Sequence, residues 1–194
     1  MKTISINLYK FSELSKESKQ KAIDKWYENE DYPFLADNLT EQCMELLKEK
    51  GLQCDKVELN YSLSWSQGDG LSFSAERIYI KPLFIEVLGQ SKDKQIEAIL
   101  EQLSYGIKGN TGRYSFASKN DIYIELETGN DYPNIENVIG KVREKLEDIY
   151  MEICKALEES GYAELEYRMS ETEFNELCEA NEYHFLESGI MRNS

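Results

Sequence analysis

The sequence predicts an α+β fold in which an antiparallel sheet is built from hairpins and helices pack mainly on one face. Apolar and polar residues alternate on both sides of a glycine-containing turn, which is typical of a β-hairpin with one buried face. Long segments with apolar residues at helical spacing separate the strands, and no wholly apolar strands alternate with helices. The 194 residues suit a single domain over 1–194, either undivided or with a helical C-terminal portion over 134–182.

The N-terminal part predicts one strand followed by two helices. Apolar and polar residues alternate over 3–9, which favours a strand. A helix then begins after Ser12 or Ser15, either of which can serve as its N-cap. A second helix spans 34–50, and Gly51 stands where a left-handed C-cap belongs.

The clearest hairpin follows. Apolar residues alternate over 57–65 and again over 71–75. The segment Ser66-Gln67-Gly68-Asp69-Gly70 joins the two strands, and its glycines can adopt the positive φ that such a turn requires. Residues 78–80 either extend the return strand or begin a connector, which Pro82 ends.

The middle of the chain predicts a helix and a second hairpin. Ser91 can cap a helix that runs to about Tyr105, and a glycine-spaced loop over 106–112 follows. The hairpin pairs roughly 113–118 with 121–127.

The C-terminal part is mainly helical. The longest helix spans about 135–160 and ends before Gly161, and a short strand over 163–168 follows. A capping box at Ser170 opens a further helix, and 183–186 forms a final edge strand.

The sequence contains no pattern that predicts a catalytic or metal site. Phosphate-loop, nucleophile-elbow and zincin motifs are absent, His184 is the only histidine, and the four cysteines lack metal-ligand spacing. The loop over 106–112 could hold a phosphate through backbone N–H groups, but we favour an ordinary connector. We therefore expect no catalytic residues, no metal and no cofactor, and binding in preference to catalysis.

Acidic residues dominate the charge. With 37 Asp+Glu against 22 Lys+Arg the net charge is −15, which argues against generic DNA binding through the phosphate backbone. Residues 142–194 hold 14 acidic and 5 basic residues, a net charge of −9. The long helix predicts an acidic stripe that fits a basic groove on a partner, or else a solvated face that serves solubility. The residues of this acidic stripe are Glu144, Glu147, Asp148, Glu152, Glu158 and Glu159.

The turn of the first hairpin is a second candidate contact. Its polar residues Ser66, Gln67 and Asp69 stand at an exposed loop tip, where binding residues often lie, although a purely structural turn is the alternative. No apolar run approaches the roughly 18 residues of a membrane span. The first residues alternate instead of forming the apolar core of a signal peptide, so we expect a cytoplasmic protein without membrane contact.

Three stretches resemble a family of small proteins encoded by phages and prophages. Residues 8–23 resemble the family's Y-x-F-x-E-L-S-x-E-x-K-x-K-A-I, residues 61–73 resemble its S-Q-G-D-G-x-x-F hairpin, and residues 178–185 resemble its A-N-E-Y-x-F tail. The resemblance implies an antitoxin-like or anti-CRISPR-type protein and supplies no catalytic residues. Leu71 stands where relatives often have a small residue.

The charge and the resemblance lead to one main hypothesis. We expect a phage-encoded inhibitor of anti-CRISPR type that places an acidic face in the basic nucleic-acid-binding channel of a host protein, with a type II RNA-guided nuclease as the expected target. One alternative is an antitoxin-like protein that neutralises a toxin partner. Another is a small nuclease that processes guide RNA.

Overall fold

The computed structural model describes residues 6–28, 34–110, 116–127 and 134–192. Within these ranges it contains six α-helices and a four-stranded antiparallel sheet, which confirms the α+β class. The chain divides into two compact units. The central unit comprises residues 34–161, and the terminal unit joins 1–33 to 162–194.

The elements follow one another in a mixed order. The helices are α1 Lys16–Tyr27, α2 Leu35–Glu49, α3 Lys81–Leu88, α4 Asp93–Leu100, α5 Ile135–Arg168 and α6 Glu171–Ala180. The strands are β1 Lys56–Ser62, β2 Gly70–Glu76, β3 Leu103–Ile107, β4 Ile122–Leu126, β5 His184–Phe185 and β6 Met191–Arg192. Short 3₁₀ turns occupy Phe11–Glu13, Gln90–Lys92 and Lys119–Asp121.

The sheet of the central unit has the strand order β1-β2-β3-β4. β1 and β2 pair along their full length, starting with Lys56 opposite Glu76, which confirms the first hairpin. A single pair, Ala75 opposite Ile107, links β2 to β3, and β3 pairs with β4. All neighbouring strands in this sheet are antiparallel, as the hairpin pattern predicts.

Helix α5 packs on one face of β2. The ring of Phe73, which is fully buried, lies 4.9 Å from the ring of Tyr150 between centroids. Residues on a strand alternate between faces, so Ser72 points the other way. Its hydroxyl donates a 2.6 Å hydrogen bond to the carbonyl oxygen of Asn110. The segment after β3 therefore covers the second face of β2.

A buried polar pair fastens α5 to the start of β4. The Tyr150 hydroxyl donates a 2.6 Å hydrogen bond to the Asp121 carboxylate, which also accepts one from the backbone N–H of Ser118 at 3.0 Å. Burial is the main cause that raises the pKa of Tyr150, with the bond to Asp121 adding to it. Both side chains thus satisfy each other where water is excluded.

An aromatic cluster forms the core of the terminal unit. The Phe174 ring of α6 meets the Phe11 ring edge-on at 4.9 Å, and both side chains are buried. Tyr9 and Phe185 exchange two backbone hydrogen bonds of 2.9 Å, which attach the N-terminal segment to β5. Ser15 caps α1 by accepting the N–H of Ser18 at 3.2 Å, so the second of the two predicted caps is the one used.

The second hairpin differs from the prediction within the described residues. β4 occupies the predicted return strand and pairs with β3. Of the predicted first strand, residues 116–118 are not in a strand, and 113–115 lie outside the described residues. The helix predicted from Ser91 to Tyr105 is accordingly too long, because α4 ends at Leu100. Leu103 continues the helical spacing of α4 and also begins an alternation with Tyr105 and Ile107. The cross-strand pairs to β4 decide this ambiguity in favour of the strand.

The long helix does not end before Gly161. α5 continues to Arg168, so the strand predicted over 163–168 is also wrong. A Cβ at position 161 would lie 2.5 Å from the Leu63 side chain and 3.5 Å from that of Leu39. The glycine therefore permits close packing within the central unit and does not terminate the helix.

Two further predictions need correction. Helix α3 was not predicted, because Pro82 was interpreted as a terminator, whereas it occupies the first turn of the helix, where proline fits. In the predicted N-terminal strand, residues 3–5 lie outside the described ranges, and only Tyr9 among 6–9 forms a bridge. The final predicted strand is confirmed as β5, but it is not an edge strand, because it pairs with β6 and also bridges to Tyr9.

Candidate functional site

The three central residues of the acidic stripe lie on the exposed side of α5. Glu144, Asp148 and Glu152 are separated by four residues each and are all exposed. The side chain of Asp148 is 75% exposed and that of Glu152 is 62% exposed. The helical spacing predicts that these three carboxylates lie on the solvent side of α5, and the structure places them there.

Lysines from other elements neutralise much of this stripe. The ammonium group of Lys50, which follows α2, lies 2.7 Å from a carboxylate oxygen of Glu152. Lys119 lies 3.3 Å from Asp148 and 3.8 Å from Glu147, whose side chain is only 15% exposed. Exposed pairs of this kind add less than about 1 kcal/mol each to stability. They nevertheless lower the net charge that a partner would meet.

The remaining members of the stripe differ in their surroundings. Glu159 is paired with Lys155 at 3.7 Å along the helix. Among the residues that the structure describes, none forms an ion pair with Glu144 or with Glu158. The uncompensated charge of the stripe is therefore concentrated on these two carboxylates.

The carboxylate of Asp69 organises the tip of the first hairpin. It accepts backbone N–H groups of Ser64 at 2.7 Å and Ser66 at 3.0 Å. It also accepts the hydroxyls of Ser62, Ser64 and Ser66 at 2.9–3.0 Å. Hydrogen bonds to a charged acceptor are stronger than neutral ones, so the tip is preorganised. The polar groups of Ser66 and Asp69 are thus hydrogen-bonded within the tip. Gln67, in contrast, is exposed and bonds to no described residue.

The same tip presents a tryptophan that the sequence pattern placed inside a strand. Trp65 has φ of 53° and is 54% exposed. A positive φ is an outlier for a bulky side chain. The backbone N–H groups on either side of it, those of Ser64 and Ser66, are the two that Asp69 holds. The carboxylate therefore stabilises the conformation that displays the indole.

Trp65 was missed as a candidate contact because it continues the alternation of β1. One sequence pattern could have indicated this turn: serines flank Trp65, and an aspartate follows three residues after Ser66. An Asp side chain often bonds nearby backbone N–H groups in a turn. Leu63, at the base of the tip, lies in the gap that Gly161 leaves on α5. The tip is thus attached to a rigid helix of the central unit.

Replacing Asp69 with alanine is expected to loosen the tip and to lower the free energy of unfolding by about 1–3 kcal/mol, because two backbone N–H groups and three hydroxyls lose a charged acceptor. Amide hydrogen exchange at Ser64 and Ser66, followed by NMR, should accelerate in the variant. Gln67→Ala is the control in the same loop and should leave both rates unchanged. Unchanged rates in Asp69→Ala would show that the carboxylate does not order the tip.

The glycine-spaced loop is explained by packing. A Cβ at Gly109 would lie 2.6 Å from the backbone oxygen of Phe73, and the Gly109 N–H donates to the Ser74 hydroxyl at 3.0 Å. At position 109 the loop therefore approaches β2 too closely for a side chain. This favours the connector over the phosphate site, although 111–112 lie outside the described residues.

The cysteines have the properties of core residues. Cys43, Cys154 and Cys178 are buried. Burial raises the pKa of Cys154 to about 12 and that of Cys178 to about 12, so these thiols stay protonated at neutral pH and are poor nucleophiles. In the described part of the chain, no three His, Cys, Asp or Glu side chains are placed to hold a metal ion. No helix in the same part has the length and apolarity needed to cross a membrane.

The comparisons with known proteins give one match. No curated protein and no solved structure matches the chain. A family model matches residues 35–174, a range that begins with α2, contains the hairpin tip and ends in α6. The chain therefore belongs to the family described as a domain of unknown function, DUF8835.

Proposed function

We propose that the protein is a phage-encoded inhibitor that binds a nucleic-acid-targeting defence complex of the bacterial host, and that it acts in the cytoplasm by contact and without catalysis. The observation that carries the proposal is the hairpin tip. A strained, exposed tryptophan costs conformational free energy, and the five bonds of Asp69 maintain it. Tryptophan is also among the residues most enriched at the energetic centre of protein interfaces.

Two features of the surface contribute to binding in different ways, one through specific contact and the other through long-range attraction. The lysine pairs weaken the acidic stripe as a specific contact, so we assign the specific contact to Trp65 and Gln67. The net charge of −15 attracts a basic channel at long range, and this attraction accelerates association at low salt. The resemblance to phage proteins makes a type II RNA-guided nuclease the first target to test, since its nucleic-acid channel is positively charged.

The direct test incubates the protein with a guide-loaded type II nuclease and target DNA, and follows DNA cleavage and guide length together. Loss of cleavage with intact guide RNA supports the inhibitor. Shortened guide RNA would support the RNA-processing alternative instead. Undiminished cleavage with intact guide would exclude this nuclease as the target, and recovery of a toxin encoded by a neighbouring gene would then favour the antitoxin-like alternative.

Trp65→Ala is expected to weaken inhibition by about 30-fold or more, which corresponds to the roughly 2 kcal/mol of an interface hot spot. Phe34→Ala is the matched control, because Phe34 belongs to the same unit and is 60% exposed. The half-inhibitory concentration of each variant, measured in the cleavage assay, checks the prediction. Equal effects of both substitutions would show that the tip is not the specific contact.

The acidic stripe is tested separately by reversing three charges, Glu144→Lys, Asp148→Lys and Glu152→Lys. If the stripe contributes long-range attraction, the association rate falls and its salt dependence becomes weaker, with a smaller change in the dissociation rate. Unchanged inhibition and unchanged association would remove the stripe from the mechanism while leaving the tip in place.

A further inference from the structure

A groove of about 570 Å³ runs along the exposed side of α2 in the central unit. One wall is α2 and the other is the segment after it, Leu52 to Cys54. The α2 residues that line the groove recur three and four positions apart, so they form one continuous stripe of the helix. They are Asp37, Thr40, Glu41, Met44, Glu45 and Lys48.

Apolar and acidic side chains share this lining. Met44 is 40% exposed, and the half-buried Cys54 contributes apolar surface from the opposite wall, beneath which Leu52 is fully buried. Methionine is flexible and polarisable, which suits a surface that adapts to an apolar partner. Three exposed carboxylates on the stripe follow one another at intervals of four residues, where like charges destabilise a helix unless a cation lies between them. These carboxylates are Asp37, Glu41 and Glu45.

The dimensions and the backbone bonding of the groove restrict what it can hold. The stripe from Asp37 to Lys48 covers about three helical turns, or roughly 16 Å. On the other wall, the carbonyl oxygen of Gln53 accepts the N–H of Tyr79 at 2.6 Å, and the N–H of Leu52 donates to the carbonyl oxygen of Leu47 at 2.9 Å. Because these two backbone groups are already bonded, the repeating side chains of α2 are the main contacts offered to an occupant.

We propose that the groove docks an amphipathic helix of a partner protein, about three turns long, with an apolar stripe against Met44 and lysines or arginines against the three carboxylates. Charge complementarity selects this occupant, because the acidic residues of the lining outnumber its single cation, Lys48. A helix that docks in a groove binds through anchor residues three and four positions apart along its own sequence. The residues of α2 that line the groove have the same spacing. None of these residues belongs to the hairpin tip or to the acidic stripe of α5, so the groove is a separate surface.

A fluorescent peptide of leucine and lysine tests the proposal, with the leucines at positions i, i+3, i+4 and i+7. A second peptide of the same composition, with leucines spread evenly around the helix, is the control for charge. We expect saturable binding of the first peptide in fluorescence anisotropy and binding at least about tenfold weaker for the second. Absence of saturable binding of the first peptide, or equal affinity of both peptides, would overturn the proposal.

Two methionines of nearly equal exposure provide a matched pair of variants. Met44→Lys and Met169→Lys each add one positive charge, at positions that are 40% and 41% exposed. Met44→Lys should weaken peptide binding by about tenfold or more, and Met169→Lys by less than about twofold. Equal losses in both variants would show that net charge alone attracts the peptide.

Cys54 supplies an independent readout in the unmodified protein. It is half-buried in the wall of the groove, whereas the other three cysteines are buried. A peptide concentration of about ten times the dissociation constant should slow alkylation of Cys54 by about tenfold, in proportion to occupancy. An alkylation rate that does not respond to bound peptide would place the peptide elsewhere and would overturn the assignment.

Discussion

Replacing Phe174 with alanine is expected to lower the free energy of unfolding of the terminal unit by about 3–5 kcal/mol. The side chain is fully buried, and its ring meets Phe11 at 4.9 Å. Three further rings, those of Trp26, Tyr27 and Phe185, lie 6.0–6.4 Å away. Truncation would therefore remove the ring that takes part in four of the described aromatic pairs of this core and leave a cavity.

The two tryptophans make this loss measurable unit by unit. Trp26 belongs to the terminal unit and Trp65 to the central unit, so urea unfolding followed by the fluorescence of Trp26 in a Trp65→Phe background reports on the terminal unit. Tyr167→Ala is the control, because this aromatic side chain is 60% exposed and its loss should cost about 0.5 kcal/mol or less. A loss below about 1 kcal/mol for Phe174→Ala would show that the cluster is not the main support of this unit.

Stability should fall steeply above about pH 9, because buried thiols resist ionisation in the folded protein. Burial raises the pKa of Cys43 above its usual 9.0 and raises that of Cys154 to about 12. Below pH 9.0 the thiols are protonated in both states and their burial is not opposed. Above it the unfolded chain releases protons that the folded protein retains, so unfolding is favoured by up to about 1.4 kcal/mol per pH unit for each thiol. Tyr150 adds a further contribution above its usual 10.0, because its pKa is also raised.

Urea unfolding between about pH 8 and about pH 11 measures this dependence. The double variant Cys43→Ala and Cys154→Ala loses some packing energy at every pH. Its free energy of unfolding should depend less steeply on pH, because about two fewer protons are released on unfolding. The slope, and not the absolute stability, is therefore the decisive quantity. A flat profile from about pH 9 to about pH 10.5 in the unaltered protein would contradict the prediction.

The hairpin and helix patterns predicted most of the fold, and the errors have physical causes. The unbroken alternation in β1 and β2 specified both strands, and Ser15 and Gly51 correctly marked a helix start and a helix end. Leu103 satisfied helical and strand spacing equally, so only its partner in β4 could decide. Gly161 was interpreted as a stop signal because its role depends on a contact with Leu63, which is distant in sequence.

The candidate site was predictable in position but not in detail. The exposure of Glu144, Asp148 and Glu152 followed from helical spacing, whereas the lysines that pair with two of them come from other elements. The polar turn was located correctly, but the internal hydrogen bonds of Asp69 and the display of Trp65 depend on the conformation of the loop. Spacing thus predicts which side of an element a residue occupies, and tertiary contacts determine whether its charge is available.

The division of the chain into units has a consequence for the order of folding during synthesis. The terminal unit depends on contacts of very long sequence separation, such as the Ser18 hydroxyl on the Glu187 carbonyl oxygen, 169 positions apart. Helix α1 leaves the ribosome long before α6 exists, and domains generally fold as their residues emerge. The central unit is continuous in sequence and can form first. Until α6 has been synthesised, the apolar side of α1 remains uncovered. This interval, set by the rate of translation, is when the nascent chain is most exposed to aggregation and to chaperones.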